Sequence, residues 1–286
     1  MQKTIDTTTI KALALDLDGT LLLPDATLGK KTVRCLKTLA SRGIHLVICT
    51  GRAVESSLRY CNELGATGPM VFFNGAEIVD IPSMNIVSTN LLDVAVVDYA
   101  VELARSMGLH FQVFLPPEHK TEAGRLLVER CGELPDVYKN RTGMQPVAVD
   151  MKAAIAVPGL QGCPKAMFIT DASKHDAIRG AMRDRFGDRI TIVSTSPIFL
   201  EIMNAGVSKG KALETALACR GVRPEQAIAF GDEENDLAMF AVAGFSVAPS
   251  NAKKSVLEAP DFVCPSNAEE GLATFLENVF GDLSGE

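Results

Sequence analysis

Short apolar runs that end in polar or glycine-containing turns recur along this chain, and segments with helical spacing of apolar residues separate them. A continuous run of about four to eight apolar residues is typical of a strand buried on both faces of a parallel sheet. Runs of three to six residues of this kind lie at 13–15, 44–49, 70–73, 199–203 and 227–230, and those at 44–49 and 199–203 each include one polar residue, His45 and Glu201. Between the first two, Val33, Leu36 and Leu39 recur at helical spacing. This alternation predicts an α/β protein built on a parallel sheet.

The pattern changes character between residues 89 and 195. This stretch has helical and strand-like spacing of its own, but its sequence shows no catalytic cluster. Helical spacing covers residues 93–107, 121–131 and 173–186, and strand-like patterns cover residues 109–114, 165–170 and 189–194. We therefore predict an inserted α+β domain at 89–195, flanked by the two parts of a core domain at 1–88 and 196–286. In this division the strand at 199–203 belongs to the core.

Two carboxylates follow the first apolar run directly. They are Asp16 and Asp18, and Gly19 and Thr20 come next. Ligands of open parallel sheets bind at the carboxyl ends of the strands. A carboxylate there can attack phosphorus to form an aspartyl-phosphate, and a second one can carry the proton of the leaving group. Two carboxylates so close require a nearby cation, and Mg²⁺ suits oxygen ligands and phosphate esters. A plainer interpretation of the same residues is a strand that ends in an acidic turn with no catalytic role.

The end of the second run and the start of a later helix suit the same chemistry. Residues 44–49 lead into Thr50, Gly51 and Arg52. A hydroxyl and free backbone N–H groups at such a helix start can hold an anion. Lys209 also stands at a predicted helix start, where its ammonium can neutralise phosphate charge. These residues are candidates for binding a phosphoryl group.

The run at 227–230 ends in an acidic segment, Gly231-Asp232-Glu233-Glu234-Asn235-Asp236. Its carboxylates follow a second parallel strand, so they could face Asp16 and complete an oxygen cage for Mg²⁺. The same composition also suits an ordinary helix N-terminus, since the helix dipole favours acidic residues in the first turn.

Bulk composition narrows the classes of function. The 286 residues carry a formal net charge of −7 and no dense run of Lys or Arg, which argues against a nucleic-acid partner. No apolar run approaches the roughly 20 residues of a membrane helix, so we expect no membrane partner. Seven cysteines occur without a Cys-x-x-Cys pair, which is typical of reduced thiols and favours a cytoplasmic protein.

Taken in order, the motifs at the strand ends resemble the four motifs of the haloacid dehalogenase (HAD) superfamily. They are Asp16-Leu17-Asp18-Gly19-Thr20, Thr50-Gly51-Arg52, Lys209-Gly210, and Gly231-Asp232 followed by Asn235-Asp236. Phe73-Asn74-Gly75-Ala76 and the position of the insertion resemble Cof-type phosphatases with a class IIB cap. The resemblance implies a Rossmann-like parallel-sheet core with an α+β cap domain. It also implies Mg²⁺-dependent hydrolysis of a small phosphorylated metabolite, with a sugar phosphate as first choice.

The resemblance further implies a role for each matched residue. Asp16 would be the nucleophile, and Asp18 the general acid and base. The residues that would bind the phosphoryl group are Thr50, Gly51, Arg52, Asn74 and Lys209. The ligands of Mg²⁺ would be Asp16, the backbone carbonyl of Asp18, and Asp232, supported from a second layer by Asn235 and Asp236.

Near its end the chain departs from the family pattern. Pro249 and Ser250 stand in the sequence Ala248-Pro249-Ser250-Asn251-Ala252, where the usual pattern is Ala-Met-x-Asn-Ala. Because proline fixes a backbone angle and removes a donor, we assign this loop no role. Two other functions stay open, a phosphomutase of similar fold and a phospho-ligand-binding protein on an inactive scaffold. The sequence specifies neither the substrate nor the oligomeric state, and a homodimer is compatible with it.

Overall fold

The computed structural model describes residues 5–283, which fold into two compact units. The chain up to Ser88 and from Ser208 onward forms the first unit, and Thr89–Val207 forms the second. The second unit is therefore inserted into the sequence of the first. None of the helices in the described part of the chain is long and apolar enough to cross a membrane.

Strands and helices are numbered along the chain. The strands are β1 (Ala12–Leu15), β2 (His45–Ile48), β3 (Gly68–Phe72), β4 (Glu77–Ile81), β5 (Ile86–Thr89), β6 (Leu92–Asp93), β7 (His110–Phe114), β8 (Leu126–Val128), β9 (Pro146–Ala148), β10 (Gly162–Cys163), β11 (Lys165–Ile169), β12 (Ile190–Ser196), β13 (Phe199–Asn204), β14 (Ala227–Phe230), β15 (Phe245–Pro249) and β16 (Phe262–Cys264). The helices are α1 (Lys30–Ser41), α2 (Val54–Leu64), α3 (Val94–Met107), α4 (Glu133–Thr142), α5 (Met151–Ile155), α6 (His175–Phe186), α7 (Lys209–Ala218), α8 (Leu237–Val242), α9 (Lys254–Leu257) and α10 (Gly271–Phe280).

A five-stranded parallel sheet in the order β16-β15-β14-β1-β2 forms the centre of the first unit. Every residue of β1 is buried, which explains why this strand is apolar on both faces. Its last residue, Leu15, is in register with Phe230 of β14 and Ile48 of β2. The carboxyl ends of these three strands therefore meet at one edge of the sheet.

A second sheet of the first unit, in the order β3-β4-β5, lies beside the end of β2. Cys49 and Val71 form a single parallel bridge, and the Thr50 amide donates to the Val71 carbonyl at 2.9 Å. The Asn74 amide in turn donates to the Thr50 carbonyl at 2.9 Å. Asn74 has a φ of +59°, which Asn tolerates better than most residues. The turn after β3 is thereby held against the turn after β2.

The second unit contains a six-stranded sheet in the order β12-β13-β11-β7-β8-β9, and β6 pairs separately with β10. One face of the larger sheet packs on helices, because Phe111, Phe168 and Leu200 share a hydrophobic core with Val97 of α3 and Ile178 of α6. Apart from the parallel pairing of β8 with β9, which α4 connects, the strand pairs of this unit are antiparallel. The predicted fold class, a parallel-sheet α/β core with an inserted α+β domain, is confirmed.

Two predicted assignments are wrong. The described residues at 121–131 contain no helix; Leu126–Val128 form the buried strand β8, which pairs with β7 and β9. Strand β13, expected in the core, pairs antiparallel with β11 and β12 of the second unit. The second boundary therefore lies between Val207 and Ser208 and not at 195/196. An apolar run indicates burial, but it does not identify the strand with which it pairs.

Candidate active site

Gly19 allows the turn after β1 to pass close to Asp232. Its φ of +78° lies in the left-handed region, which glycine adopts without steric cost. A Cβ at this position would lie 2.2 Å from Asp232 Oδ2, so a larger residue would displace that carboxylate. The neighbouring Thr20 hydroxyl donates to Asp232 Oδ1 at 2.7 Å. The first sequence motif therefore fixes a carboxylate of the last one.

Three buried carboxylates meet at the carboxyl edge of the parallel sheet. Asp16, Asp232 and Asp236 each place an oxygen within 4.8 Å of the other two. Asp16 follows β1 directly, and the other two follow β14, so the pairing of these neighbouring strands brings the carboxylates together. Like charges at this range are costly unless a cation lies beside them. The convergence predicted from the strand ends is present.

Lys209 supplies positive charge to this cluster. Its Nζ lies 2.5 Å from Asp16 Oδ1 and 2.7 Å from Asp236 Oδ1. Burial opposes the charged ammonium, but these two carboxylates raise the pKa of Lys209 above its ordinary value. At the next position, a Cβ on Gly210 would lie 2.2 Å from the Ala238 carbonyl oxygen, so glycine is needed for α7 to pack against α8. Lys209 is thus held in the cluster in its charged form.

One ammonium does not balance three carboxylates. Burial raises the pKa of Asp16 well above its ordinary value, although Lys209 acts in the opposite direction. Burial likewise raises the pKa of Asp232 to about 7, against the hydrogen bond from Thr20. Both shifts mean that the ionised carboxylates lack sufficient positive charge nearby. A cation added to this cluster would favour the ionised forms.

Asp236 already uses both of its carboxylate oxygens within the protein. Its Oδ2 accepts the backbone N–H groups of Asp232 and Glu233, each at 3.0 Å, and its Oδ1 accepts from Lys209. For Asp16 and Asp232, the described residues provide a donor to Oδ1 but none to Oδ2. A donor set made only of oxygens suits a hard divalent cation. The cluster therefore fits a metal site, with Asp236 orienting the loop that carries Asp232.

Thr50 and Asn74 lie at the same edge. Thr50 follows β2, which neighbours β1, and it is buried. Its Oγ1 accepts the Arg52 amide at 3.1 Å, and a Cβ on Gly51 would lie 3.0 Å from Asn74 Oδ1. Asn235, predicted to support the metal, donates through Nδ2 to Asn74 Oδ1 at 2.9 Å. Asn235 therefore joins the fourth motif to the turn after β3.

Asp18 differs from the other predicted catalytic residue because its carboxylate does not join the buried cluster. Its side chain is 49% exposed and forms a forked ion pair with Arg52. Arg52 Nε donates to Asp18 Oδ2 at 2.6 Å, and one terminal nitrogen donates to Oδ1 at 2.5 Å. The other terminal nitrogen donates to the Tyr60 hydroxyl at 3.3 Å. Arg52, predicted to bind phosphate, thus directs all three nitrogens to protein groups.

Asn251 is a site residue that the sequence reasoning missed. Its Nδ2 donates to the Gly19 carbonyl at 2.8 Å, and its Oδ1 accepts the Asn267 amide at 2.8 Å. It lies in the loop of Pro249 and Ser250, to which the sequence pattern assigns no role. The asparagine of the family pattern is nevertheless retained there, and that was the available signal. Asn251 therefore stabilises the turn that contains Asp18 and Gly19 through a hydrogen bond.

The sequence matches the family of haloacid dehalogenase-like hydrolases over residues 13–276. This range includes every strand-end motif and the whole inserted unit. The chain belongs to the haloacid dehalogenase-like hydrolase family, and the predicted resemblance is confirmed.

Several proteins are similar along nearly the whole chain. The 5-amino-6-(5-phospho-D-ribitylamino)uracil phosphatase YitU of Bacillus subtilis is 31% identical over 281 residues, which cover 94% of this chain and 97% of YitU. The crystal structure of a haloacid dehalogenase-like hydrolase from Bacteroides thetaiotaomicron matches with a TM-score of 0.85 and 28% identity, over 95% of this chain and 100% of the other. The HAD subclass IIB sugar phosphatase BT4131 shares the fold, with a TM-score of 0.77 and 19% identity over 95% and 99% of the two chains. The chain is a phosphatase, and the predicted class of phosphoric monoester hydrolase is confirmed.

Proposed function

We propose that this phosphatase hydrolyses a small phosphorylated metabolite, with a sugar phosphate as first candidate, through an aspartyl-phosphate at Asp16 and with Mg²⁺ as cofactor. The observation that carries the proposal is the buried cluster of Asp16, Asp232 and Asp236, whose negative charge Lys209 balances only in part. Such a cluster suits a divalent cation, and a cation in turn attracts a phosphate ester.

The metal would be held by Asp16, Asp232 and the backbone carbonyl of Asp18. Asp236 supports this set through its hydrogen bonds to the Asp232 and Glu233 amides. When bound, the metal supplies positive charge that offsets the repulsion between the attacking carboxylate and the phosphoryl oxygens.

Hydrolysis would proceed in two displacements. In the first, an Asp16 oxygen bonds to phosphorus as the ester P–O bond breaks, and Asp18 donates a proton to the departing alcohol oxygen. In the second, Asp18 takes a proton from a water whose oxygen attacks phosphorus. The bond to Asp16 then breaks and inorganic phosphate is released. Thr50, the Gly51 amide and Lys209 would hold the phosphoryl oxygens through hydrogen bonds.

The names of two similar proteins support the substrate class. YitU is named for a compound whose phosphate is on a ribityl chain, and BT4131 is named a sugar phosphatase. Both names describe a phosphate ester of a polyhydroxylated carbon chain. We therefore rank sugar phosphates and sugar-alcohol phosphates above nucleotides as substrates of this chain.

Phosphate release from a panel of sugar phosphates, sugar-alcohol phosphates, nucleotides and an aryl phosphate tests the proposal. Wild-type protein should turn over at least one sugar or sugar-alcohol phosphate with Mg²⁺, and EDTA should abolish that turnover. Asp16→Asn keeps the size of the side chain and removes the attacking carboxylate. We expect it to lower kcat on the order of 10⁴-fold or more.

Glu214→Gln is the matched control, because Glu214 is an exposed carboxylate on α7 and the change is likewise from acid to amide. Its kcat should equal that of wild type. Undiminished turnover by Asp16→Asn would contradict the nucleophile assignment. A well-folded wild-type protein that releases phosphate from no sugar or sugar-alcohol ester would contradict the substrate class.

A further inference from the structure

We propose that Arg52 is a positioning residue that orients Asp18 for proton transfer and is not a ligand of the phosphoryl group. This inference rests on the proposed function, because it concerns the proton that Asp18 donates in the first displacement. It starts from the forked ion pair, in which Arg52 nitrogens lie 2.6 Å and 2.5 Å from the two Asp18 oxygens. A planar guanidinium that contacts both oxygens fixes the plane and the direction of the carboxyl group.

Arg52 is itself anchored by Tyr60. Its remaining nitrogen donates to the Tyr60 hydroxyl at 3.3 Å, and its guanidinium carbon lies 5.5 Å from the centre of the Tyr60 ring. Tyr60 is 2% exposed, and its hydroxyl donates to the Ala26 carbonyl at 2.8 Å. The contacts therefore run from the Ala26 carbonyl through the buried Tyr60 and the largely buried Arg52 side chain to a half-exposed carboxyl group.

The difference in exposure between Arg52 and Asp18 indicates which of the two side chains orients the other. The side chain of Arg52 is 11% exposed, whereas that of Asp18 is 49% exposed. An ion pair between two mobile side chains gains little, because both must be ordered to form it. Here burial and Tyr60 have already ordered Arg52. Arg52 can therefore order Asp18, and Asp18 contributes less to the order of Arg52.

The same contacts argue against direct binding of phosphate by Arg52. Asp18 already occupies the edge formed by Nε and one terminal nitrogen, and Tyr60 accepts from the other, so only one N–H on each terminal nitrogen remains for a phosphoryl oxygen. Burial disfavours the charged guanidinium, yet the hydrogen bonds to Asp18 raise the pKa of Arg52 above its ordinary value. The positive charge of Arg52 is thus paired with the Asp18 carboxylate.

The two roles differ in how the rate depends on the leaving group. Proton donation matters most for a sugar hydroxyl, whose oxygen must take up a proton as the P–O bond breaks, and least for nitrophenol, which departs as a stable anion. A residue that binds the phosphoryl group affects all phosphate esters alike, because they share that group. The quantity to measure is kcat/KM, since it covers the steps up to departure of the leaving group.

We expect Arg52→Ala to lower kcat/KM for a sugar phosphate by about ten- to a hundredfold and to change it for p-nitrophenyl phosphate by less than about threefold. Added guanidinium should restore part of the sugar-phosphate activity. Tyr60→Phe keeps the ring and removes the hydroxyl contact, so it should show a smaller loss with the same selectivity. Retained activity on the aryl ester shows that each variant is folded.

A double-mutant cycle with Asp18→Asn separates positioning from an independent role. Asp18→Asn alone should show the same selectivity with a larger loss. Because Arg52 acts through Asp18, adding Arg52→Ala to Asp18→Asn should cause no further loss. Equal losses on both esters, together with weaker inhibition by inorganic phosphate in Arg52→Ala, would overturn the proposal. Absence of turnover by wild type on both esters would instead contradict the proposed function.

Discussion

Two buried lysines, one in each unit, are neutralised in different ways. Lys209 of the first unit has a side chain 1% exposed and contacts two carboxylates, at 2.5 Å and 2.7 Å. Lys165 of the second unit has a side chain 2% exposed, and its Nζ lies 3.0 Å from Glu201 Oε1. Both ammonium groups have their pKa values raised by carboxylates although burial opposes this. Burial and ion pairing alone therefore do not distinguish the two positions.

The surroundings of the two lysines do distinguish them. Lys165 Nζ lies 5.2 Å and 6.0 Å from the ring centres of Phe114 and Tyr138, whose faces attract a cation. Glu201 also accepts the Thr195 hydroxyl at 3.1 Å. Arg141 adds a second positive charge nearby, which opposes the charged form of Lys165. The surroundings of Lys165 therefore hold no excess of carboxylates.

Lys209, in contrast, belongs to a cluster with more carboxylates than cations. Within the described residues, the three aspartates around it form the only such group of closely spaced metal-type side chains. An excess of carboxylates over cations therefore indicates a site for an additional cation, whereas burial of a charged group alone does not. A buried lysine without an excess of carboxylates around it gives no such indication.

Among the substitutions that test the difference between the two lysines, Glu201→Gln should destabilise the protein most. The substitution removes the negative charge that lies beside the buried Lys165 ammonium, and breaking a buried ion pair in this way typically costs about 3–5 kcal/mol. The free energy of unfolding of the variant, from urea denaturation followed by circular dichroism, checks this value.

The double variant Lys165→Met/Glu201→Leu is the matched control for Glu201→Gln. It removes both charges and keeps the volume close to that of the original pair, so its stability should lie near that of wild type. If Glu201→Gln were as stable as the double variant, Lys165 would not depend on Glu201 and the comparison would fail.

A smaller effect is expected for Asn251→Ala, at the rim of the site. The change removes the donor to the Gly19 carbonyl, but water can replace this contact because Asn251 is exposed. We expect a loss of less than about 1 kcal/mol in unfolding free energy. We also expect kcat to fall by less than about tenfold, because the turn that carries Asp18 becomes looser.

Ser250→Ala is the control for Asn251→Ala, since Ser250 is the exposed neighbour in the same loop. Its kcat and stability should match those of wild type. Equal effects of the two substitutions would show that the loop, and not the Asn251 side chain, supports the turn.

The sequence indicated which residues would lie at one edge of the core sheet better than it indicated the elements of the second unit. Asp16, Thr50 and Asp232 follow apolar strands, and parallel strands place their carboxyl ends at one edge, so strand order alone brings such residues near each other. The helix predicted at 121–131 failed because Leu126, Leu127 and Val128 are apolar in succession, a pattern that also fits a buried strand.

The sequence did not predict the directions in which the site side chains point. The spacing of Asp16 and Asp18 did not reveal that one carboxylate is buried in the cluster and the other turns to Arg52. That separation depends on the turn at Gly19 and on the position of Tyr60, which anchors Arg52. The contact of Asn251 with the first motif likewise depends on tertiary structure, because the two are far apart in the chain.

If the aspartate cluster lacks positive charge, the unfolding free energy should depend on pH and on Mg²⁺, and measuring it against pH with and without Mg²⁺ tests this. The pKa of Asp232 is raised from 3.8 to about 7 in the folded chain. Between these values the folded protein retains a proton that the unfolded chain loses, so without metal the stability should fall as the pH rises through this window. Asp232→Asn removes this group and should show a weaker fall.

In the proposed function Mg²⁺ would bind the ionised cluster of the folded protein, so it should stabilise wild type most above pH 7, by about 2.7 kcal/mol at a concentration 100 times its dissociation constant. The same Mg²⁺ concentration should stabilise Asp232→Asn much less. Equal pH dependence of wild type and Asp232→Asn, with no stabilisation of wild type by Mg²⁺, would contradict the account.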